Sequence, residues 1–212
     1  LLATTLSLAL TAAYGKTPVA TGTGGAVATI SDQASQAAMA ILNKGGNAID
    51  AAVAAAATLG VTDPFSCGIG GGGFMMVYLA KEKRVITIDH RETAPAAATP
   101  ALFRENGREM DFNTAVASGA SVGVPGTVRG WHEALTRYGT MSFRDVLQPA
   151  IGVASKGFPI SETFSHLTAE NETKFRRFTS TSALYLKDGK ALRAGTVLKN
   201  PDLARAYREI AH

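Results

Sequence analysis

The chain has 212 residues, 46% hydrophobic and 18% charged, with a formal net charge of +4 and one cysteine. That is enough apolar material for one sizeable core, while the lone Cys67 excludes an internal disulfide and a cysteine-based zinc site. The densest basic cluster, Lys174 to Phe178, is short and set among Thr and Ser, so it reads as a solvated helix end and not as a nucleic-acid surface.

The first segment, Leu1 to Ala13, is an apolar run with small residues, followed by Tyr14 and Gly15. It has the look of the core and cleavage zone of a secretory signal. A buried first helix is the alternative, and the run is too short to span a membrane. Residues 1–14 are therefore expected to be a signal remnant and 15–212 the folded part, with an exported destination, periplasmic or extracellular. The helix opened by Asn200 and Pro201 stops at His212 without a capping turn, which suggests the front part of a longer protein.

In chain order, residues 21–30 read as a glycine-rich loop entering a short strand. A helix follows, capped by Ser31 or Asp32, with Ala34, Ala37, Ala38, Ile41 and Leu42 on one face and Gly45–Gly46 at its end. A second helix runs from Asn47, its cap, to Gly60. It carries alanine on nearly every side, the pattern of a buried helix. Phe74 to Ala80 is apolar on both faces and suits a strand covered on both sides. Residues 81–84 turn the chain and 85–89 return it as a β-hairpin. Residues 101–111 are polar and expected to be exposed. A tight Pro125–Gly126 turn then leads into a helix ending at Gly139. The next helix has a Ser142–Asp145 capping box and a Pro149 expected to kink it. Asp188–Gly189 marks a further hairpin. No repeat of 20 to 50 residues is evident. Strands do not alternate with helices, which argues for an α+β layered fold and against a doubly wound sheet.

Three motifs invite chemistry. The glycines of residues 67–73 suggest a phosphate loop, but such a loop leaves a strand and opens a helix; here a helix precedes and a strand follows. Gly119 to Gly123 matches G-x-S-x-G, yet Ser121 lacks a firm preceding strand, and Pro125–Gly126 intervenes before the next helix. The four histidines, His90, His132, His166 and His212, show no metal-ligand spacing. Arg91, in Asp-His-Arg-Glu-Thr-Ala-Pro at 89–95, has two readings. It could pair with Asp89 or Glu92 at the surface. Alternatively, its planar, permanently charged fork could anchor an acidic substrate at the end of a buried strand.

The segments 45–78, 89–95, 121–131 and 137–161, with 200–211, resemble the γ-glutamyltransferase family in order and spacing, from about Gly22 to the end. The resemblance implies an N-terminal-nucleophile hydrolase fold, a four-layer αββα sandwich, incomplete in this chain. It implies a precursor that cuts itself into a large and a small subunit. The new N-terminal threonine of the small subunit then takes the γ-glutamyl group from glutathione or a similar amide. It also implies that Arg91 binds the α-carboxylate of that group and that no metal or organic cofactor is needed. The catalytic residues belong to the small subunit, so this chain supplies none of them. Alone it is expected to be inactive, with apolar faces lacking their partner layers. A related acylase for glutaryl or cephalosporin side chains, a poly-γ-glutamate hydrolase, and a non-catalytic fragment stay open as alternatives.

Overall fold

The computed structural model describes residues 21–212; the segment expected to be a signal remnant lies outside them. Residues 24–29 form no strand, contrary to the expectation. Thr29 instead uses its hydroxyl on Ser31 O (2.7 Å), which shapes the entry to the first helix. That helix, α1 (Asp32–Asn43), is capped by Ser31, whose Oγ accepts from Ala34 N. Gly45, at φ +89°, reverses the chain after it.

Helix α2 (Ala48–Thr62) is the centre of the molecule. Asn47 and Asp50 form a capping box at its start. Asp50 is fully buried, and its carboxylate also accepts from Thr140 N (3.0 Å), Thr140 Oγ1 (2.6 Å) and Met141 N (3.2 Å). A buried carboxylate is tolerable only when satisfied in this way, so one side chain ties the start of α2 to a loop ninety residues away. Gly60 does not close the helix as expected; α2 runs on to Thr62 and Asp63 ends it. Gly60 is there to make room, since a Cβ at this position would lie 2.6 Å from the Tyr207 hydroxyl.

After α3 (Pro64–Cys67) and the glycine loop come β1 (Phe74–Leu79) and β2 (Arg84–Asp89), an antiparallel pair in which Phe74 faces Asp89 and Tyr78 faces Val85. The hairpin was expected to be covered on both faces. One face does pack, through Met75, Val77 and Ile88 on Ile49 and Ala134. The other, with Phe74, Met76 and Tyr78 at 64%, 76% and 63% exposure, is open, because the sheet has only two strands and nothing among the described residues lies across it. Residues 101–111, expected to be plain exposed chain, hold a short hairpin, β3 (Arg104–Glu105) and β4 (Arg108–Glu109), turning on Asn106–Gly107 at positive φ. That Asn-Gly pair is itself a strong hairpin signal.

The remaining order is α4 (Phe112–Val116), α5 (Thr127–Tyr138), α6 (Phe143–Lys156), β5 (Phe158–Pro159), α7 (Glu162–Glu170), α8 (Glu172–Phe175), α9 (Thr179–Tyr185), β6 (Leu186–Lys187), β7 (Lys190–Ala191), β8 (Val197–Leu198) and α10 (Pro201–Ile210). A single helix, α6, carries Pro149 inside it. Its capping box is only half formed: Ser142 Oγ accepts from Asp145 N, while Asp145 turns its carboxylate to the Ser142 hydroxyl. The predicted 188–189 hairpin is β6–β7, and Asn200 caps α10 as expected. The core lies where α1, α5 and α6 pack on α2 and α10 packs on α6, with Ile41, Val53, Trp131, Val146, Leu147 and Tyr207 at its centre. Burial pushes the Tyr207 phenol well above its ordinary pKa, and its hydroxyl donates to Ala57 O at 2.8 Å, deep in the α2 backbone. The small side chains of α2 let α1, α5 and α6 approach it closely and leave room for Tyr207 to reach it from α10.

Candidate functional site

Arg91 sits two residues past the end of β2, and three backbone segments hold it there. The first is the glycine loop. A Cβ on Gly72 would lie 2.4 Å from His90 O and 2.6 Å from Glu92 N. The second is the Pro125–Gly126 turn, where a Cβ on Gly126 would lie 1.9 Å from His90 O. The third is the first turn of α5, where Gly130 lies flat against the His90 ring, 2.4 Å from its Cγ by the same measure. Hydrogen bonds close the clamp. His90 N donates to Gly73 O (3.0 Å), and Gly126 N and Thr127 N both donate to Gly71 O (2.9 and 3.1 Å). Thr93 and Val124 exchange a bridge beyond it. Only residues without side chains permit such approaches, so the glycines serve to fix residues 90–92. No helix follows them to face a phosphate.

The Arg91 side chain is 67% exposed, and its Nε lies 3.1 Å from Glu92 Oε2. The two charges are close but not aligned for a hydrogen bond, since Glu92 Oε2 has no hydrogen-bond partner. Asp89 takes the Arg91 backbone N–H (3.0 Å) and leaves the guanidinium alone. The Nη end of the fork therefore points at no acceptor among the described residues. The surface pair anticipated with Glu92 is present, and it occupies only one edge of the guanidinium. An exposed pair of this kind contributes little to stability, under about 1 kcal/mol. Arg91 lines a cleft of about 520 Å³ with Asp89, His90, Arg129, Glu133 and Arg137, a size suited to a small polar ligand.

The other candidates separate from this place. Ser121 ends a 3₁₀ turn, Gly119–Ser121, and its Oγ donates to Val116 O and Ser118 O. It lines a cavity with Phe103, Glu109, Met110 and Phe112 in which no histidine stands, and its hydroxyl is directed at backbone carbonyls and not at a side-chain base. Cys67 ends α3 at the start of the glycine loop. Burial first, and then the Asp63 carboxylate beside it, raise its thiol pKa, which favours the protonated, less nucleophilic form. Among the described residues no cluster of three His, Cys, Asp or Glu could hold a metal. His90 and Glu92, which the sequence offers only as a histidine without metal-ligand spacing and a surface partner for Arg91, belong to the site. Their signal was their place on either side of Arg91, and their roles depend on glycines distant in sequence.

Mixed helices and an open-faced hairpin around an incomplete sheet define an α+β fold of the N-terminal-nucleophile hydrolase type, present here in part. The family model for gamma-glutamyltranspeptidase matches residues 34–212, and the chain belongs to that family. It is 45% identical over 190 residues to the glutathione hydrolase proenzyme of Bacillus subtilis (strain 168), covering 89% of this chain and 32% of that protein. To the acylase ACY 1 proenzyme of Pseudomonas sp. (strain SE83) it is 39% identical over 198 residues, 91% of this chain and 35% of the acylase. The crystal structure of Helicobacter pylori γ-glutamyltranspeptidase superposes with a TM-score of 0.86 at 31% identity, covering 92% of this chain and 56% of that one. The chain thus spans about a third of the length of the curated relatives it matches.

Proposed function

We propose that this chain is the amino-terminal part of a proenzyme that cleaves γ-glutamyl amides such as glutathione and passes the γ-glutamyl group to water, an amino acid or a peptide. The observation that carries this reading is the free Nη end of Arg91, presented to a cleft by a backbone that three glycines clamp. A carboxylate fits that end in two parallel hydrogen bonds. Arg91 would hold the α-carboxylate of the γ-glutamyl group there, contributing ~1.5–3 kcal/mol.

The chemistry then falls to a small subunit cut from the same precursor. Its N-terminal threonine hydroxyl attacks the γ-carbonyl while its own α-amine takes the proton. The C–N bond of the amide breaks, the leaving amine receives the proton, and a γ-glutamyl ester remains. Water or an acceptor amine attacks the ester carbonyl and restores the threonine hydroxyl. No metal or organic cofactor takes part. The apolar lead segment supports export to the periplasm or beyond.

The similarity to the Pseudomonas acylase favours a second reading, hydrolysis of an acyl group without the α-amino acid end. One comparison on the complete precursor separates the two: release of p-nitroaniline from a γ-glutamyl anilide and from a glutaryl anilide. A strong preference for the γ-glutamyl compound is expected. Equal rates, or a glutaryl preference, would make the protein an acylase and leave Arg91 without its ligand.

A further inference from the structure

Arg129 stands third in α5, next to the Gly130 that lies on the His90 ring and three positions after the Gly126 that meets His90 O. The first turn of α5 is therefore seated on the His90–Arg91 backbone, and Arg129 lines the same cleft as Arg91. The acids that might neutralise it are engaged elsewhere. Glu133, one turn further along the helix, pairs with Arg137 (Nη1 to Oε1, 3.1 Å). Asp89 takes the Arg91 N–H, and Glu92 faces the Arg91 guanidinium. Arg129 has no ion-pair or hydrogen-bond partner among the described residues.

Of the three arginines in the lining, Arg91 and Arg137 each stand beside a glutamate, which leaves Arg129 as the cation without a counter-charge among the described residues. No acid occupies the first turn of α5, and a cation there stands at the unfavourable end of the helix dipole. An anion bound beside Arg129 would relieve both imbalances. The cleft, at about 520 Å³, has room for more than the glutamyl half of a donor.

We propose that Arg129 binds a second carboxylate, carried by the amine half of the donor, while Arg91 holds the first. This rests on the γ-glutamyl reading of the cleft and adds to it the residue that discriminates among leaving amines, favouring those that carry a carboxylate. Arg129 acts on recognition of the leaving group and takes no part in bond breaking.

The test uses the complete, matured enzyme and two chromogenic donors, γ-glutamyl-p-nitroanilide and γ-glutamyl-3-carboxy-4-nitroanilide, which differ by one carboxylate on the leaving group. The parent enzyme is expected to have the lower KM for the carboxylated donor. Arg129→Gln, a change to a comparable helix former, is expected to raise that KM about tenfold. It should leave the neutral donor within about twofold, since the lost contact is worth nothing to a leaving group without charge. Arg129→Lys, which keeps the charge and loses the fork, should fall between. A loss shared equally by both donors, or no loss on either, would overturn the assignment of Arg129 while the γ-glutamyl reading survived. A parent enzyme that cleaves neither donor but does cleave the glutaryl anilide would bring down both.

Discussion

The clamp on Arg91 makes a quantitative demand on Gly126. Its backbone (φ −109°, ψ −18°) is one that alanine adopts freely, so Gly126→Ala imposes no dihedral penalty and tests packing alone. The new Cβ would begin 1.9 Å from His90 O, whereas ordinary contact starts at 3.4 Å. The two backbones must part by about 1.5 Å, and neither is a side chain that can swing away. Overpacking of this kind costs about 1–3 kcal/mol of stability. The larger effect should be on function, because the displaced group is the peptide leading into Arg91. A misplacement of about 1 Å in a positioning element can cost about a hundredfold in rate. The assay is kcat and KM for a γ-glutamyl anilide, with a thermal melt, on the complete enzyme. Gly152→Ala is the control. That glycine lies inside α6 with nothing within 4 Å of its Cβ position, so alanine should raise stability by about 0.5–1 kcal/mol and leave the kinetics alone. A Gly126→Ala enzyme with unchanged KM and unchanged melting would refute the clamp.

Arg91→Lys keeps the charge and loses the two-point fork, so KM for γ-glutamyl donors should rise far more than kcat falls; an unchanged KM would return Arg91 to the role of a surface ion pair. Cys67 should alkylate with a half-maximal pH above that of a cysteine in an unstructured peptide, because burial and Asp63 both favour the protonated thiol. Asp63→Asn should move that midpoint down, and no movement would discard the electrostatic part of the account. Gly60→Ala brings a Cβ within 2.6 Å of the Tyr207 hydroxyl and should lower stability by about 1–3 kcal/mol. Adding Tyr207→Phe removes the clashing oxygen, so the double variant should be more stable than the two single losses summed. Strict additivity in thermal melts would show that the two residues do not meet.

Elements with strong local signals were legible in the residues. Asn200–Pro201, Ser31 and Asp188–Gly189 each carry their own capping or turn chemistry, and each sits where that chemistry places it. The alanine pattern of α2 likewise announced a buried helix. The Asn106–Gly107 hairpin had a local signal too, whereas at Gly60 and Asp50 the deciding partner lay far away in sequence. Gly60 reads locally as a helix end, but Tyr207, nearly 150 residues on, requires the missing side chain. Asp50 reads as an ordinary first-turn acid, but Thr140 and Met141 make it a buried tie. Arg91 was visible as a candidate from its neighbours alone. The means of holding it was not, because Gly72, Gly126 and Gly130 matter through the space they leave around His90, and an absent side chain has no pattern to read.

The two faces of the β1–β2 hairpin divide the work of this chain. The packed face joins it to α2 and α5, whose first turn clamps residues 90–92. The open face presents Phe74, Met76, Tyr78 and Val85, an apolar surface of a kind that soluble chains seldom leave bare. Asp89 stands opposite Phe74 at the end of that same surface, two residues before Arg91. Whatever covers the open face must therefore end beside the guanidinium. In the proposed proenzyme that cover would come from the rest of the precursor, which would bring the reacting threonine to a carboxylate anchor already fixed. The backbone contacts that hold the anchor, from Gly71–Gly73 and Gly126–Gly130 to residues 90–92, all lie within this chain. In that proposal, burial of the open face would drive the docking that aligns the reacting threonine with the anchor. A substitution such as Met76→Lys should separate these functions. It would leave the Arg91 clamp intact while weakening the attachment of the covering layer, and would appear as poor maturation of the precursor with no change in KM for the fraction that matures.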